Sequence, residues 1–269
     1  MSTPAEIAVL GMGAMGRTVL SALRTRLPEA GFSFYERPGR VGPLSQELGL
    51  PCYDDVGELL GTQRRPDLVV ECAGHRAVAE LVPEVLEAGV DVVLVSLGSL
   101  SDDALRTRLM SAAERSGASV RLVSGAVGGL DALRSAVLAG VDSVVYEGRK
   151  PPEAWKGSPA EQACTLDELT AAAVFFSGTA RQASEQYPKN ANVTAAVALA
   201  GLGLDETEVR LIADPDAEQN SHTLYVQGRA GGFSITLWNN PLPQNPKTSW
   251  LAALSAEEAV LNQTLPLRF

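Results

Sequence analysis

The tightest limit on this chain comes from Ile7 to Gly16, IAVLGMGAMG, where an apolar run breaks into Gly11, Gly13 and Gly16. An apolar stretch ending in glycines at that spacing is a β-strand turning directly into a helix. Gly11 permits the tight turn, and Gly13 lets backbone amides approach a bound group without a side chain in the way. Gly16 lets the new helix lie close on the strand, and the partial positive charge of that helix N-terminus suits a pyrophosphate. A second apolar run, GFSFY, ends in Glu36, twenty residues beyond Gly16, where an acid bonding a dinucleotide ribose is expected. The dinucleotide contacts expected here are Gly11, Gly13, Ala14, Met15, Gly16 and Glu36. FYERPGR sets the cofactor preference: Glu36 would accept from both ribose hydroxyls and repel a 2′-phosphate, whereas Arg37 and Arg40 would bind one. NAD is expected, with NADP as a second use.

The rest of the first half repeats this grammar. Strand-like runs at 6–10, 32–35, 68–72, 91–95 and 120–124 alternate with helical stretches at 14–27, 43–49, 55–61, 76–88 and 102–116. Such alternation implies α/β architecture, a Rossmann doubly wound parallel sheet with helices on both faces. Ligands of these sheets bind beyond the carboxyl ends of the strands, so the loops 11–16, 36–40, 72–75, 96–101 and 124–129 are the places to look. After about residue 130 the pattern changes. DALRSAVLAG reads as a helix, VDSVVYEGRK as a strand and PPEAWKGSP as a Pro-rich loop. TLDELTAAAVFFSGTARQASEQYP reads as one or two helices and NVTAAVALAGLG as another. EVRLIADP, SHTLYVQGRAG and GFSITLWNNP read as strands joined in antiparallel hairpins by Gly-rich turns. The expected division is a dinucleotide-binding domain at 1–128 and an α+β domain with an open mixed or antiparallel sheet at 129–245. A last helix within 246–269, WLAALSAEEAVLNQ, is expected to pack back on the first domain.

Composition closes off several functions. A net charge of −10 with no basic stripe argues against a nucleic-acid surface. No apolar stretch has the length a membrane span needs. The start, MSTPAEIAVLG, has no basic segment before its apolar run, so the expectation is a cytoplasmic protein rather than a secreted one. Cys52, Cys72 and Cys164 form no CxxC pair, which fits thiols in a reducing compartment and neither disulfide nor metal. GxSxG, HExxH and P-loop patterns are absent, which removes support for hydrolases and kinases.

Only two histidines are present, His75 in ECAGHRAV and His222 in QNSHTLYVQG, and either suits acid/base work near neutral pH. Either would equally serve as an ordinary hydrogen-bonded histidine. Asn190 and Asn192 precede an Ala-rich helix, where asparagine caps well; with Lys189 nearby, the same N-terminus suits a carboxylate or carboxamide. Lys247 is an isolated cation in the Pro-flanked segment NPLPQNPKTSW, and Arg149 and Lys150 end a strand.

Taken together, VVECAGHRAV, SGAVGGLDAL, VVYEGRKPPEAW, FFSGTARQASEQYPKNANVTAAVALAGLGLD, NSHTLYVQGRAGGF and NPKTSWLAALS resemble the L-aspartate dehydrogenases of the NAD-biosynthesis type. The resemblance runs through most of the chain. It implies a Rossmann domain followed by an α+β domain, a homodimer, and NAD- or NADP-linked oxidation of L-aspartate to iminoaspartate. The imine would feed quinolinate synthesis or hydrolyse to oxaloacetate and ammonia. Carried over by residue, the catalytic histidine falls on His222, and further cofactor contacts fall on Ala126 and Asn192. Lys189, Asn190, Lys247 and His75 are the expected substrate contacts. Two alternatives share the glycine turn: a dehydrogenase or reductase for another small substrate, such as homoserine or dihydrodipicolinate, and a nucleotide-sensing protein without catalysis.

Overall fold

A computed structural model describes residues 6–243 and 245–264. The run EIAVL forms β1 (Glu6–Leu10), whose last four side chains are all buried. A strand buried on both faces is what an apolar run without alternation builds inside a parallel sheet. Around it lie β2 (Gly31–Tyr35), β3 (Cys52–Tyr53), β4 (Leu68–Glu71), β5 (Asp91–Leu94) and β6 (Val120–Leu122). Their order is β3-β2-β1-β4-β5-β6, parallel throughout, which is the doubly wound arrangement. The intervening helices are α1 (Ala14–Arg26), α2 (Val41–Leu48), α3 (Val56–Leu60), α4 (His75–Glu87) and α5 (Asp103–Ser116). Their boundaries follow local chemistry: Asp102 caps α5 by accepting from the amides of Ala104 and Leu105, and Gly117 ends it in the left-handed region. Cys52–Tyr53 adds a short strand beyond the five expected, and residues 97–101 form a buried 3-10 turn.

The chain divides into two compact units. One comprises the chain up to Val123 together with the stretch from Ala253; the other is Ser124–Ala252. The second unit holds β7 (Val141–Lys150), β8 (Ala173–Thr179), β9 (Glu208–Ala213), β10 (Asn220–Gly228) and β11 (Gly231–Asn239), in the order β11-β10-β7-β9-β8. Its helices are α6 (Leu130–Ala139), α7 (Ala160–Ala163), α8 (Ala180–Gln186) and α9 (Ala191–Ala200). A small ribbon of β12 (Pro241–Leu242) and β13 (Asn245–Ser249) precedes α10 (Trp250–Thr264).

Two local expectations need correction. AVFFSGT is the strand β8, not helix: Phe175 and Phe176 are drawn into an aromatic cluster with Tyr187, and Phe175 also meets Trp155 with ring centroids 4.7 Å apart. The helix begins only where Thr179 and Gln182 cap each other's backbone amides. EVRLIADP is not a hairpin arm: β9 runs parallel to β7 and antiparallel to β8, so the true hairpin here is β10–β11. The Pro-flanked segment around Lys247 is itself regular structure, since NPKTS forms a strand of the ribbon.

Candidate active site

Within the first unit the glycine turn has the geometry its sequence implies. Gly11 has φ +87° and packs so tightly that a Cβ there would lie 2.7 Å from Ala73 Cα. A Cβ on Gly16 would lie 2.0 Å from the Gly11 carbonyl oxygen, which is how α1 comes to press on the turn. Gly13 is the opposite case. It caps α1, no side chain caps it, no acid lies in the first turn, and nothing stands within 4 Å of where its Cβ would be. Open approach to uncapped helix amides at Ala14, Met15 and Gly16 fits a pyrophosphate.

Glu36, buried at the end of β2, faces this turn: the Met12 amide donates to its Oε2 at 3.0 Å. Arg40 Nη1 lies 3.3 Å from Oε2, and Arg37 Nε lies 3.9 Å from Oε1. The acid and the two bases of FYERPGR thus form one cluster. Sequence reasoning missed Glu71, at the end of β4. Its fully buried carboxylate accepts from the amides of Ala73, Gly74 and Ser96 and from Ser96 Oγ, at 2.8–2.9 Å. Burial pushes this carboxyl up from the usual range, and those four donors pull it back toward the ionised form. It ties the loop after β4 to the loop after β5. His75 begins α4 just after Gly74, whose φ is +99°.

The second unit gathers a different cluster. His222 lies on β10 opposite Gly148 of β7 and Leu237 of β11, and its side chain is buried. Strand alternation puts it on the face shared by Leu224, Val226, Tyr146 and Val144; α6 and α9 cover this face, with Leu133 and Gly201 close to Val144. The Tyr146 hydroxyl meets His222 Nδ1 at 2.8 Å. Lys150, at the end of the same strand as Tyr146, donates to Asn190 Oδ1 at 2.5 Å and stands 4.6 Å from the centre of the Trp155 ring. Burial first, and then the Lys150 charge, push the His222 imidazole down to about 3, so that it is neutral at physiological pH.

Asn190 therefore occupies the N-cap position of α9 without capping it, because its side chain is taken by Lys150. Asn192 lies exposed in the first turn of that helix. Ala126 is buried, and its carbonyl accepts from Asn239 Nδ2 at 2.7 Å. The side chains of Lys189 and Lys247 lie outside the described residues. His75 belongs to the first unit, and His222 to the second together with Tyr146, Lys150 and Asn190.

Residues 131–263 match the family model described as Aspartate dehydrogenase, C-terminal, and residues 11–122 match that described as Homoserine dehydrogenase, NAD binding domain. The chain is similar to the L-aspartate dehydrogenase of Cupriavidus taiwanensis, 44% identical over 266 residues that cover 96% of this chain and 97% of the relative. It is 50% identical over 198 residues to the L-aspartate dehydrogenase of Pseudomonas aeruginosa, covering 74% of each. Among solved structures, the aspartate dehydrogenase of Thermotoga maritima superposes with a TM-score of 0.80 at 26% identity, covering 98% of this chain and 99% of that one.

Proposed function

This chain belongs to the L-aspartate dehydrogenase family, and on that premise we propose that it oxidises L-aspartate to iminoaspartate. It is a nicotinamide-dependent amino-acid dehydrogenase, with NAD proposed as the first cofactor and NADP as the second. Gly11, Gly13, Ala14, Met15, Gly16 and Glu36 would hold the dinucleotide, with Ala126 and Asn192 as further contacts. When bound, the nicotinamide ring supplies the acceptor for the hydride that leaves the substrate Cα.

The observation that carries this reading is a buried imidazole held by the Tyr146 hydroxyl, on a strand pair whose far end fixes the Lys150 ammonium against Asn190. His222 takes the proton shed by the substrate nitrogen and, in reverse, returns it to the imine. Lys150 binds one substrate carboxylate beside Asn190, and Lys189 and Lys247 are the candidates for the other; His75 is a further substrate candidate in the first unit. Lys150 at present suppresses protonation of His222. The two substrate carboxylates offset that positive charge and raise the proton affinity of the ring when it is needed.

A positioned acid/base contributes about 10²–10⁴ in rate, so His222→Ala should lose about that much in kcat while NADH affinity holds. Near-normal turnover in that variant would reject the assignment. Nicotinamide absorbance followed with L-aspartate, D-aspartate, glutamate and homoserine in parallel tests the substrate: L-aspartate should lead, and homoserine in first place would overturn the reading.

The reaction is reversible, and the imine either continues into NAD biosynthesis or hydrolyses to oxaloacetate and ammonia. A cytoplasmic homodimer is the proposed working form. Tyr225 and Trp238, which are 41% and 67% exposed on the face of β10 and β11 turned away from α6 and α9, support such an interface.

A further inference from the structure

We propose that Tyr146 is the positioning residue for His222, an uncharged partner that occupies Nδ1 and confines proton transfer to Nε2; this rests on the reading of His222 as the acid/base. The two ring planes are within 12° of parallel, with centroids 6.0 Å apart. With oxygen and nitrogen only 2.8 Å apart, the rings meet edge to edge rather than face to face. The hydroxyl therefore meets the imidazole at its Nδ1 edge, the atom through which the ring donates or accepts on that side.

The contact is built. Tyr146 is fully buried, and Gly148, directly opposite His222 in the ladder, leaves the room that the hydroxyl fills: a Cβ at Gly148 would lie 2.8 Å from that oxygen. The partner's chemistry matters as much as its position. A carboxylate at Nδ1, as in Ser-His-Asp triads, would orient the ring but also stabilise imidazolium. Burial pushes the Tyr146 phenol up, so it stays protonated and neutral and orients the ring without adding that charge. A hydroxyl also serves both states of the ring. It donates to Nδ1 of one neutral tautomer and, turned about its C–O bond, accepts from Nδ1–H when Nε2 is the base or has taken the proton. When Nε2 receives the substrate proton, the ring becomes imidazolium with Nδ1–H donated to the phenol oxygen, and no proton leaves Tyr146.

Two histidines in the chain make the test direct. In protein carrying ¹⁵N-histidine, the signals lost in His222→Asn belong to this ring. Wild-type enzyme should show a hydrogen-bonded Nδ1, and Tyr146→Phe should move both nitrogen resonances toward the average of two tautomers. The same variant should lose roughly tenfold in kcat with L-aspartate, as expected for one orienting hydrogen bond, with NADH affinity within a factor of two. Gly148→Ala keeps the phenol but drives a methyl against its oxygen, and should repeat both effects. Unshifted nitrogen resonances with wild-type kcat in Tyr146→Phe would overturn the proposal, as would a wild-type Nδ1 signal without a hydrogen bond. If His222→Asn itself turns over normally, the acid/base reading fails instead.

Discussion

Replacing Gly16 with alanine turns the packing of α1 on its turn into a binding measurement. The added methyl would stand 2.0 Å from the Gly11 carbonyl oxygen, a backbone atom that cannot swing aside. Carbon and carbonyl oxygen settle at about 3.3–3.6 Å, so the first turn of α1 must retreat by roughly 1.3–1.6 Å. The amides that would cradle the pyrophosphate retreat with it, and losing one hydrogen bond to a charged group costs about 1.5–3 kcal/mol. NADH should therefore bind about 100-fold more weakly, or roughly 2.7 kcal/mol. Stability should suffer less: overpacking costs about 1–3 kcal/mol, and a helical Gly→Ala change returns up to about 1 kcal/mol. Titration of NADH by its own fluorescence, with a melting curve as control, reads both numbers. Gly13→Ala is the matched comparison, because its methyl meets nothing within 4 Å in the protein and can obstruct only what approaches from outside. A well-folded Gly16→Ala enzyme that binds NADH within threefold of wild type would refute the argument.

Two further outcomes follow from buried and clustered charge. His222 is depressed from 6.5 to about 3 in the folded chain, so between those values the unfolded chain binds a proton that the folded one does not. Its contribution to stability is complete above pH 6.5 and is lost as pH falls, by about 1.4 kcal/mol per unit down to about 3. His222→Gln should remove that slope in denaturant titrations at pH 6, 5 and 4, and parallel curves for the two proteins would contradict it. Glu36→Ala releases Arg37 and Arg40 toward a 2′-phosphate. A charge-assisted hydrogen bond of about 1.5–3 kcal/mol converts to a rise of roughly 10- to 150-fold in the NADP-to-NAD ratio of kcat/KM; an unmoved ratio would exclude Glu36 as the ribose acid.

What could be read along the chain was whatever local order decides. Gly11, Gly13 and Gly16 lie within one turn, Glu36 ends the next strand, and the alternation of runs dictates five of the six strands of the parallel sheet. The histidine cluster escaped such reading because its members meet through strand register. Tyr146 and His222 are 76 residues apart, and only the β7–β10 ladder sets Gly148 opposite the imidazole. Asn190 looked like a cap because its neighbours are helical, yet a lysine forty residues earlier claims its oxygen. In β8 the helix-like alanines preceding the phenylalanines were misleading, and the Thr179–Gln182 capping box was the local sign that helix starts only there. Glu71 carried no sign at all, since its four donors come from loops that the sheet brings together.

The first unit takes in chain from both sides of the second, and this sets an order of events during synthesis. From Ala253 onward α10 supplies buried Ala256, Ala259 and Val260, pairs Glu257 with Arg26, and offers the Ala259 carbonyl to Arg121. A ribosome making this protein extrudes all six parallel strands and then a further hundred or so residues before that helix emerges. The nucleotide-binding half is thus the first begun and the last finished, and until then the flank that Ala256, Ala259 and Val260 cover stands open.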